Sequence, residues 1–98
     1  MGEDDLIEAL KALAHPLRWR ILTTLTGGER NVGELEQATG IVQPGLSQQL
    51  AILRKAELVK TRRDAQTIYY SSTSESVIKI LSTLESIYCP PAASKSAA

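Results

Sequence analysis

The stretch IVQPGLSQQLAILRKAELVKTRRDAQTIYYSS, residues 41–72, changes its hydrophobic period near its middle. The first half repeats leucine at helical spacing, and the second half alternates apolar and polar residues. Pro44 suits the first turn of this helix, where a missing backbone N–H costs nothing. We expect the helix to turn three leucines toward a core: Leu46, Leu50 and Leu53.

The alternating half predicts a β-hairpin directly after that helix. Residues 59–63 and 67–71 have the period of strands, and Asp64-Ala65-Gln66 separates them as a turn. We therefore expect a wing of two strands.

A shorter helix is predicted before the stretch, beginning at Asn31 and closed by Gly40. Asn31 and Glu34 have the spacing of a capping box, in which each side chain accepts from a backbone N–H near the other. Gly40 suits the residue that ends a helix. Three side chains of this helix are expected to face inward: Val32, Leu35 and Ala38.

Together these elements predict a winged helix-turn-helix. Two helices of about eight and about twelve residues, joined by a short turn at 41–43, have the spacing of the helix-turn-helix unit. The hairpin after the second helix supplies the wing. Helical hairpins of similar length also occur in unrelated folds.

Three further helices complete the expected fold, which is mainly α with five helices. Two precede the unit, at residues 4–14 and from Pro16 to about residue 26, and His15 marks the break between them. The last helix opens at Ser72 and Glu75, a second possible capping box, and ends before Pro90.

Length and composition fit one small domain with no room for a second. The chain has 98 residues and a formal net charge of zero. We expect a folded domain over residues 1–90 and a disordered tail over residues 91–98, which read PPAASKSAA with the preceding proline.

One cysteine excludes an internal disulfide, and no apolar run is long enough to cross a bilayer, so a reducing cytoplasm is expected.

Apolar stripes on the first and last helices predict a homodimer. The stripe on the last helix is too wide for one small core, and a short chain buries only a modest fraction of its surface. Residues expected near the dimer interface are Leu6, Leu10, Leu81, Leu84 and Tyr88.

Charge and polar side chains predict a DNA-binding face despite the neutral total. The chain is acidic at its start and basic in its middle, so one face could be basic. A helix fits the major groove, where Gln and Ser can contact base edges. The alternative is a merely solvated polar face. Candidate contacts on this helix and its approach are Gln43, Pro44, Gly45, Ser47, Gln48, Gln49 and Arg54.

The wing adds Arg62 and Arg63, with Gln66 at the tip. Neighbouring strand residues point to opposite faces, so one arginine could enter a minor groove or hold a phosphate. The other could pair with Asp64 or a nearby acid. The alternative is an edge strand protected by charge.

Two further candidates lie outside the wing and the fourth helix. Arg18 could hold a phosphate or form a surface salt bridge. Asn31 opens a helix whose N–H groups could meet the DNA backbone.

HPLRWRILTTL (15–25) and NVGELEQATGIVQPGLSQQLAILRKAELVKTRRDAQTIYYSS (31–72) resemble the ArsR/SmtB family of bacterial winged-helix repressors. The resemblance covers residues 10–89 and is strongest to the BigR-like and NolR-like branches. It implies a homodimer joined by the first and last helices, which binds inverted repeats in promoters and represses transcription until an inducer releases it. It places the recognition helix at Gln43–Arg54 and the wing at Arg62–Gln66.

Departures from the family pattern concern the signal that is sensed. The Cys-x-Cys pair of metal-sensing members is matched by Asn31 and Gly33, and His15 is the sole histidine, so neither metal nor cofactor is expected. His15 before a proline is interpreted as a helix-end residue. BigR-like members use two cysteines, of which Cys89 is present and the other is replaced by Thr23.

This replacement excludes an intramolecular thiol switch. Cys89 could react alone, pair across a dimer, or be an inert apolar residue.

The predicted function is a sequence-specific, dimeric, DNA-binding transcriptional repressor. The alternative is a winged helix that contacts proteins without binding DNA, which the neutral charge favours slightly. An enzyme is not expected, because the sequence has no Gly-rich phosphate loop and no recognisable nucleophile–base pairing. Operator, regulated genes and inducer are not revealed by the residues.

Overall fold

The computed structural model describes residues 2–73 and 75–88, with the side chains of residues 76, 77 and 88 excepted. Our expectations for Cys89, for the Tyr88 side chain and for the tail at 91–98 lie outside this part of the chain. Within it there are five helices: α1 (Glu3–Leu13), α2 (Pro16–Leu25), α3 (Val32–Thr39), α4 (Gly45–Lys55) and α5 (Glu75–Tyr88). The strands are β1 (Arg30–Asn31), β2 (Val59–Asp64) and β3 (Thr67–Ser72).

The strands form one antiparallel sheet in the order β1-β3-β2. The hairpin pairs Arg62 with Tyr69 and Thr61 with Tyr70, and on its other side Tyr70 pairs with Arg30. The predicted hairpin is confirmed, but the wing has three strands in the described chain and not two. Strand β1 has only two residues, which is too short to show an alternating pattern in the sequence.

The face of α4 predicted to be buried is the centre of the core. Leu46, Leu50 and Leu53 are at most 1 % exposed. They pack in one cluster with buried residues of α1, α2, α3, α5 and the start of β2. This packing fixes which face of α4 remains outside, and therefore which side chains a ligand can reach.

One inward residue of α3 was predicted wrongly. Leu35 is buried and Val32 is half-buried, but Ala38 is exposed and Thr39 is buried in its place. The Thr39 hydroxyl donates to the Leu35 carbonyl at 2.6 Å and accepts from the Ile41 N–H at 3.2 Å. Both bonds satisfy the hydroxyl, so burying this polar side chain carries little cost.

The predicted start and end of α3 are confirmed. The Asn31 side chain accepts from the Glu34 N–H at 2.8 Å, and the Glu34 carboxylate accepts from the Asn31 N–H at 2.9 Å. Gly40 ends the helix with φ of 74°, in the left-handed region that favours glycine.

Among the other helix starts, one was predicted correctly and two lie later than predicted. His15 caps α2, since its Nδ1 accepts from the Leu17 N–H at 3.1 Å, and this confirms its helix-end role. Helix α4 begins at Gly45, one residue later than predicted, and Pro44 precedes it. Helix α5 begins at Glu75 and Ser72 is the last residue of β3, so the last helix opens later than predicted.

Apolar side chains remain exposed on the outer faces of α1 and α5. Leu6 and Leu10 are 46 % and 42 % exposed, and Ile80 and Ile87 also remain accessible. Leu81, by contrast, is fully buried in the core of its own chain. No helix in the described part is both long enough and apolar enough to cross a membrane.

Candidate DNA-binding surface

The exposed side of α4 carries the polar residues predicted to meet DNA. Ser47 and Gln48 are exposed, and their side chains have no hydrogen-bond partner among residues 2–73 and 75–88. The opposite side of α4 is held in the core by its three leucines. Both polar side chains are thus held on a fixed helix and are available to an external ligand.

Gln43 stabilises the start of α4. Its side-chain Oε1 accepts from the backbone N–H of Ser47 at 2.9 Å. The N–H groups of Leu46 and Gln48 are also bonded, to the carbonyls of Val42 and Pro44. In the part of the chain that the structure describes, the N–H of Gly45 is left without an acceptor at this helix start.

Gly45 is not required by the packing of the free protein. A Cβ placed on Gly45 would lie 3.8 Å from Ile41 Cγ2, an ordinary contact distance. Because Gly45 has no side chain, a nucleic-acid backbone could approach the start of α4 closely.

Gln49 has an intramolecular partner, unlike Ser47 and Gln48. Nη1 of Arg18 donates to Gln49 Oε1 at 3.2 Å, and Nε of Arg18 donates to the Ala12 carbonyl at 2.6 Å. Arg18 was predicted to hold a phosphate or to form a surface salt bridge. The structure instead places it between the end of α1 and the flank of α4.

The two wing arginines have different surroundings. Nη2 and Nε of Arg62 donate to the two carboxylate oxygens of Glu29 at 2.8 and 3.0 Å, and its guanidinium lies 4.7 Å from the centre of the Tyr69 ring. Arg63 is exposed and forms no ion pair within the described chain. One arginine of the pair was expected to find a nearby acid, and that acid is Glu29, not Asp64.

The ion pair shifts the titration of both partners. The hydrogen bond from Arg62 lowers the pKa of the Glu29 carboxyl, assisted by the positive charges of Arg62 and Lys60. The same hydrogen bond raises the pKa of Arg62. Glu29 and Arg62 are therefore both charged at neutral pH.

The remaining candidates lie at the edges of this surface. Gln66 is exposed at the wing tip, and Arg54 is exposed in the last turn of α4. The side chain of Asn31 is engaged in its capping box, so only its position near the start of α3 remains relevant to DNA.

Sequence reasoning missed Glu29 and Tyr69. The contact between Glu29 and Arg62 joins residues that are 33 positions apart, and no local pattern indicates such a pair. The hairpin register could have indicated Tyr69, because it lies directly opposite Arg62 on the neighbouring strand.

No group of three or more His, Cys, Asp or Glu side chains that could hold a metal occurs in residues 2–73 and 75–88. At two positions that the family resemblance matches to cysteines, Asn31 caps α3 and the Thr23 hydroxyl donates to the Arg20 carbonyl at 3.1 Å. That no metal is used stays a prediction.

Helices α3 and α4, joined by a short turn and followed by the wing, define a winged helix-turn-helix protein. The chain belongs to the arsR family of bacterial regulatory proteins, whose family model matches residues 15–61. This membership confirms the family expected from the sequence motifs.

The relatives of this chain include a repressor and a transcriptional activator. The nodulation protein NolR of Rhizobium meliloti is 53% identical over 88 residues, which cover 88% of this chain and 72% of NolR. The biofilm growth-associated repressor of Xylella fastidiosa is 43% identical over 86 residues, 88% of this chain and 75% of the repressor. The transcriptional activator HlyU of Vibrio cholerae is 42% identical over 80 residues, 82% of this chain and 74% of HlyU.

Solved structures confirm the winged-helix fold. The transcriptional repressor BigR of Xylella fastidiosa superposes with a TM-score of 0.83 at 43% identity, over 88% of each chain. The homodimeric winged helix-turn-helix DNA-binding domain Mb0332 of Mycobacterium bovis superposes with a TM-score of 0.79 at 32% identity, over 86% of this chain and 78% of that one. The expected transcriptional regulator is therefore confirmed, and the alternative of a winged helix that contacts only proteins is not supported.

Proposed function

We propose that this chain is a dimeric repressor that binds an inverted-repeat operator, with α4 in the major groove and the wing on the adjoining backbone. The observation that carries the proposal is the two-sided character of α4. Its leucines are fully buried, while Ser47 and Gln48 are exposed without partners in the described chain. A helix whose buried face is held in the core can present the polar groups of its other face to base edges.

Within this surface, base reading is assigned to Ser47 and Gln48. Gln can form two hydrogen bonds with adenine, and Ser can pair with several bases. Gln43 contributes by holding the start of α4, and Gly45 allows the DNA backbone to approach.

Phosphate contacts are assigned to the exposed cations that have no acidic partner in the described chain. Arg63 on the wing and Arg54 on α4 meet this condition, and Gln66 can add a neutral contact from the tip. Arg62 retains Glu29 and links β2 to the residue before β1. Phosphate contacts position the protein and provide most of its salt-dependent affinity.

Dimerisation is assigned to the exposed apolar faces of α1 and α5. Leu6 and Leu10 are more than two-fifths exposed, and a groove between α1, α5 and the end of α4 is lined by Leu6, Ile52 and Ile80. A second chain could bury these groups and place two basic faces side by side. Leu84 is half-buried on α5 and fits the same interface, whereas Leu81 supports it from the core.

Repression rather than activation is proposed because the biofilm growth-associated repressor matches 88% of this chain, whereas HlyU, which is named an activator, matches 82%. The cytoplasm, where promoter DNA lies, is the proposed location. Fluorescence anisotropy on the chain's own upstream DNA tests binding, and run-off transcription from the same fragment tests the sign of regulation. Binding with a reduced transcript supports the proposal, and binding with an increased transcript would make the protein an activator. Absence of binding to any promoter fragment would contradict the DNA-binding role.

The signal is tested in the same assay. We propose that Cys89 is the only thiol that could sense sulfur or oxidants, because the position of the second cysteine is Thr23. If polysulfide treatment abolishes DNA binding by the wild type but not by Cys89→Ser, the protein is a one-cysteine sensor. Unchanged binding would indicate a repressor that does not respond to thiol chemistry.

A further inference from the structure

Arg18 joins three helices through two hydrogen bonds. From α2 it donates Nε to the Ala12 carbonyl at the end of α1 at 2.6 Å, and Nη1 to Gln49 Oε1 on α4 at 3.2 Å. The Arg18 and Gln49 side chains are both half-buried and lie 31 positions apart in the chain. The contact therefore depends on the folded arrangement of the helices and not on local sequence.

The chemistry of arginine fixes the orientation of the Gln49 amide. A guanidinium has five N–H donors and no acceptor, so it can bond only to the oxygen of the amide. Nε2 of Gln49 is then the end without a partner in residues 2–73 and 75–88. The side chain consequently offers a neutral hydrogen-bond donor.

The place of Gln49 on α4 indicates which acceptor it meets. Leu46, Leu50 and Leu53 define the buried face, and Gln49 lies beside it, on the flank of the helix and not on its outermost line. When a helix lies in the major groove, its flanks face the phosphates of the groove walls. A phosphate oxygen is an acceptor only, and it matches the donor that Arg18 leaves available.

We infer that Arg18 is a positioning residue that presents Gln49 Nε2 to a backbone phosphate. This inference rests on the proposed function, and it deepens that proposal by assigning roles to two residues of the surface. Arg18 then contributes to DNA binding through Gln49 and not through its own charge. The two roles differ in their salt dependence, because a neutral amide releases no counterions when it contacts a phosphate.

The test measures operator affinity and its salt slope for Arg18→Lys, Gln49→Ala and the double variant. Lysine keeps the positive charge, but its single ammonium lacks the fork that reaches the Ala12 carbonyl and Gln49 together. We expect each single variant to bind roughly three- to tenfold more weakly, the cost of one hydrogen bond. The double variant should be no weaker than the weaker single variant, and all salt slopes should equal that of the wild type.

Arg20→Lys is the matched control. Arg20 lies on the same helix and donates Nη1 to the Thr39 carbonyl at the end of α3 at 3.1 Å, so its hydrogen bond is not made to α4. The Arg20→Lys protein should bind the operator with the affinity of the wild type. Thermal melts of all variants confirm that each one is folded at the assay temperature.

A direct phosphate contact by Arg18 gives different results. Arg18→Lys would then bind like the wild type, and Arg18→Met would reduce the salt slope by about one per protomer. Either result, or independent effects of the two single variants, would overturn the inference. Failure of the wild type to bind DNA would instead overturn the proposed function, and the inference with it.

Discussion

Arg62 and Glu29 form a two-point ion pair between the wing and the residue that precedes β1. Both carboxylate oxygens of Glu29 accept from the guanidinium, at 2.8 and 3.0 Å. The carbon of the same guanidinium lies over the ring of Tyr69 on the neighbouring strand, 4.7 Å from the ring centre. This arrangement links β2 to the residue before β1, and it leaves Arg63 as the wing arginine that is available to DNA.

Arg63→Ala should weaken DNA binding across many sequences and reduce the salt slope by about one per protomer, because it removes one phosphate contact. Arg62→Ala should change the slope less, since its charge is already paired with Glu29. Affinity measured by anisotropy at several salt concentrations checks both variants. Lys79→Ala, an exposed charge on α5, is the control for loss of one cation. Equal slope changes for Arg62→Ala and Arg63→Ala would contradict this division of roles.

The wing ion pair should also make folding stability depend on pH. The pKa of Glu29 is lowered from its ordinary 4.5, so its contribution is fully present above that value and is lost as the pH falls through the lower, folded-state pKa. The raised pKa of Arg62 affects stability only in strongly alkaline solution. Denaturant midpoints of the wild type and Glu29→Gln should therefore differ at neutral pH and converge in acid.

The control for the pH experiment is Glu36→Gln, which removes a carboxylate of α3 that has no ion pair in the described chain. A difference between the wild type and Glu29→Gln that grows in acid would have the wrong sign for this account. Because the pair is exposed to solvent, added salt should reduce the difference as well.

Glycine substitutions should act in opposite directions at the two ends of the turn that joins α3 to α4. Gly40→Ala should destabilise by about 1–2 kcal/mol, because φ of 74° disfavours a side chain even though no atom lies within 4 Å of the added Cβ. Gly45→Ala should stabilise by about 0.5–1 kcal/mol, because it replaces a helical glycine where a methyl group fits. Thermal or denaturant unfolding checks both values.

DNA binding separates the structural role of Gly45 from its proposed functional one. The Gly45→Ala protein should be more stable and yet bind the operator more weakly, if the DNA backbone approaches this position closely. Unchanged affinity in the stabilised variant would show that this close approach is not made.

Leu10→Glu should convert the proposed dimer to a monomer, because it places a charge in the apolar face of α1 that a partner is proposed to cover. Leu10 is 42 % exposed in the single chain, so the substitution should leave the core intact. Val42→Glu is the control, as Val42 is 74 % exposed in the turn before α4. Sedimentation at micromolar concentration should find a monomer for the first and a dimer for the second. A Leu10→Glu dimer as stable as the wild type would place the interface elsewhere.

Features with a local cause could be predicted from the sequence. The leucines of α4, the capping box of Asn31 and Glu34, and the turn at Gly40 each depend on residues within four positions or on helical spacing. The hairpin was predictable for the same reason, since strand alternation continues on both sides of its turn.

Features that depend on distant contacts could not be predicted. Strand β1 has two residues and exists because β3 offers it a partner. Thr39 replaces Ala38 in the core because its hydroxyl finds two backbone partners there. The same limit applies to the surface, where the sequence suggested a phosphate contact or a salt bridge for Arg18 and the fold gives it Gln49 as a hydrogen-bond partner.

The most direct test of the account is the base preference of Gln48→Ala, because the account places Gln48 at base edges in the major groove. Anisotropy with the operator and with single-base variants of it, at fixed salt and in reductant, measures this preference. The account predicts a loss of about 1–3 kcal/mol that is concentrated at one base position in each half-site. A Gln48→Ala protein with the affinity and the base preference of the wild type would contradict the placement of α4 in the groove.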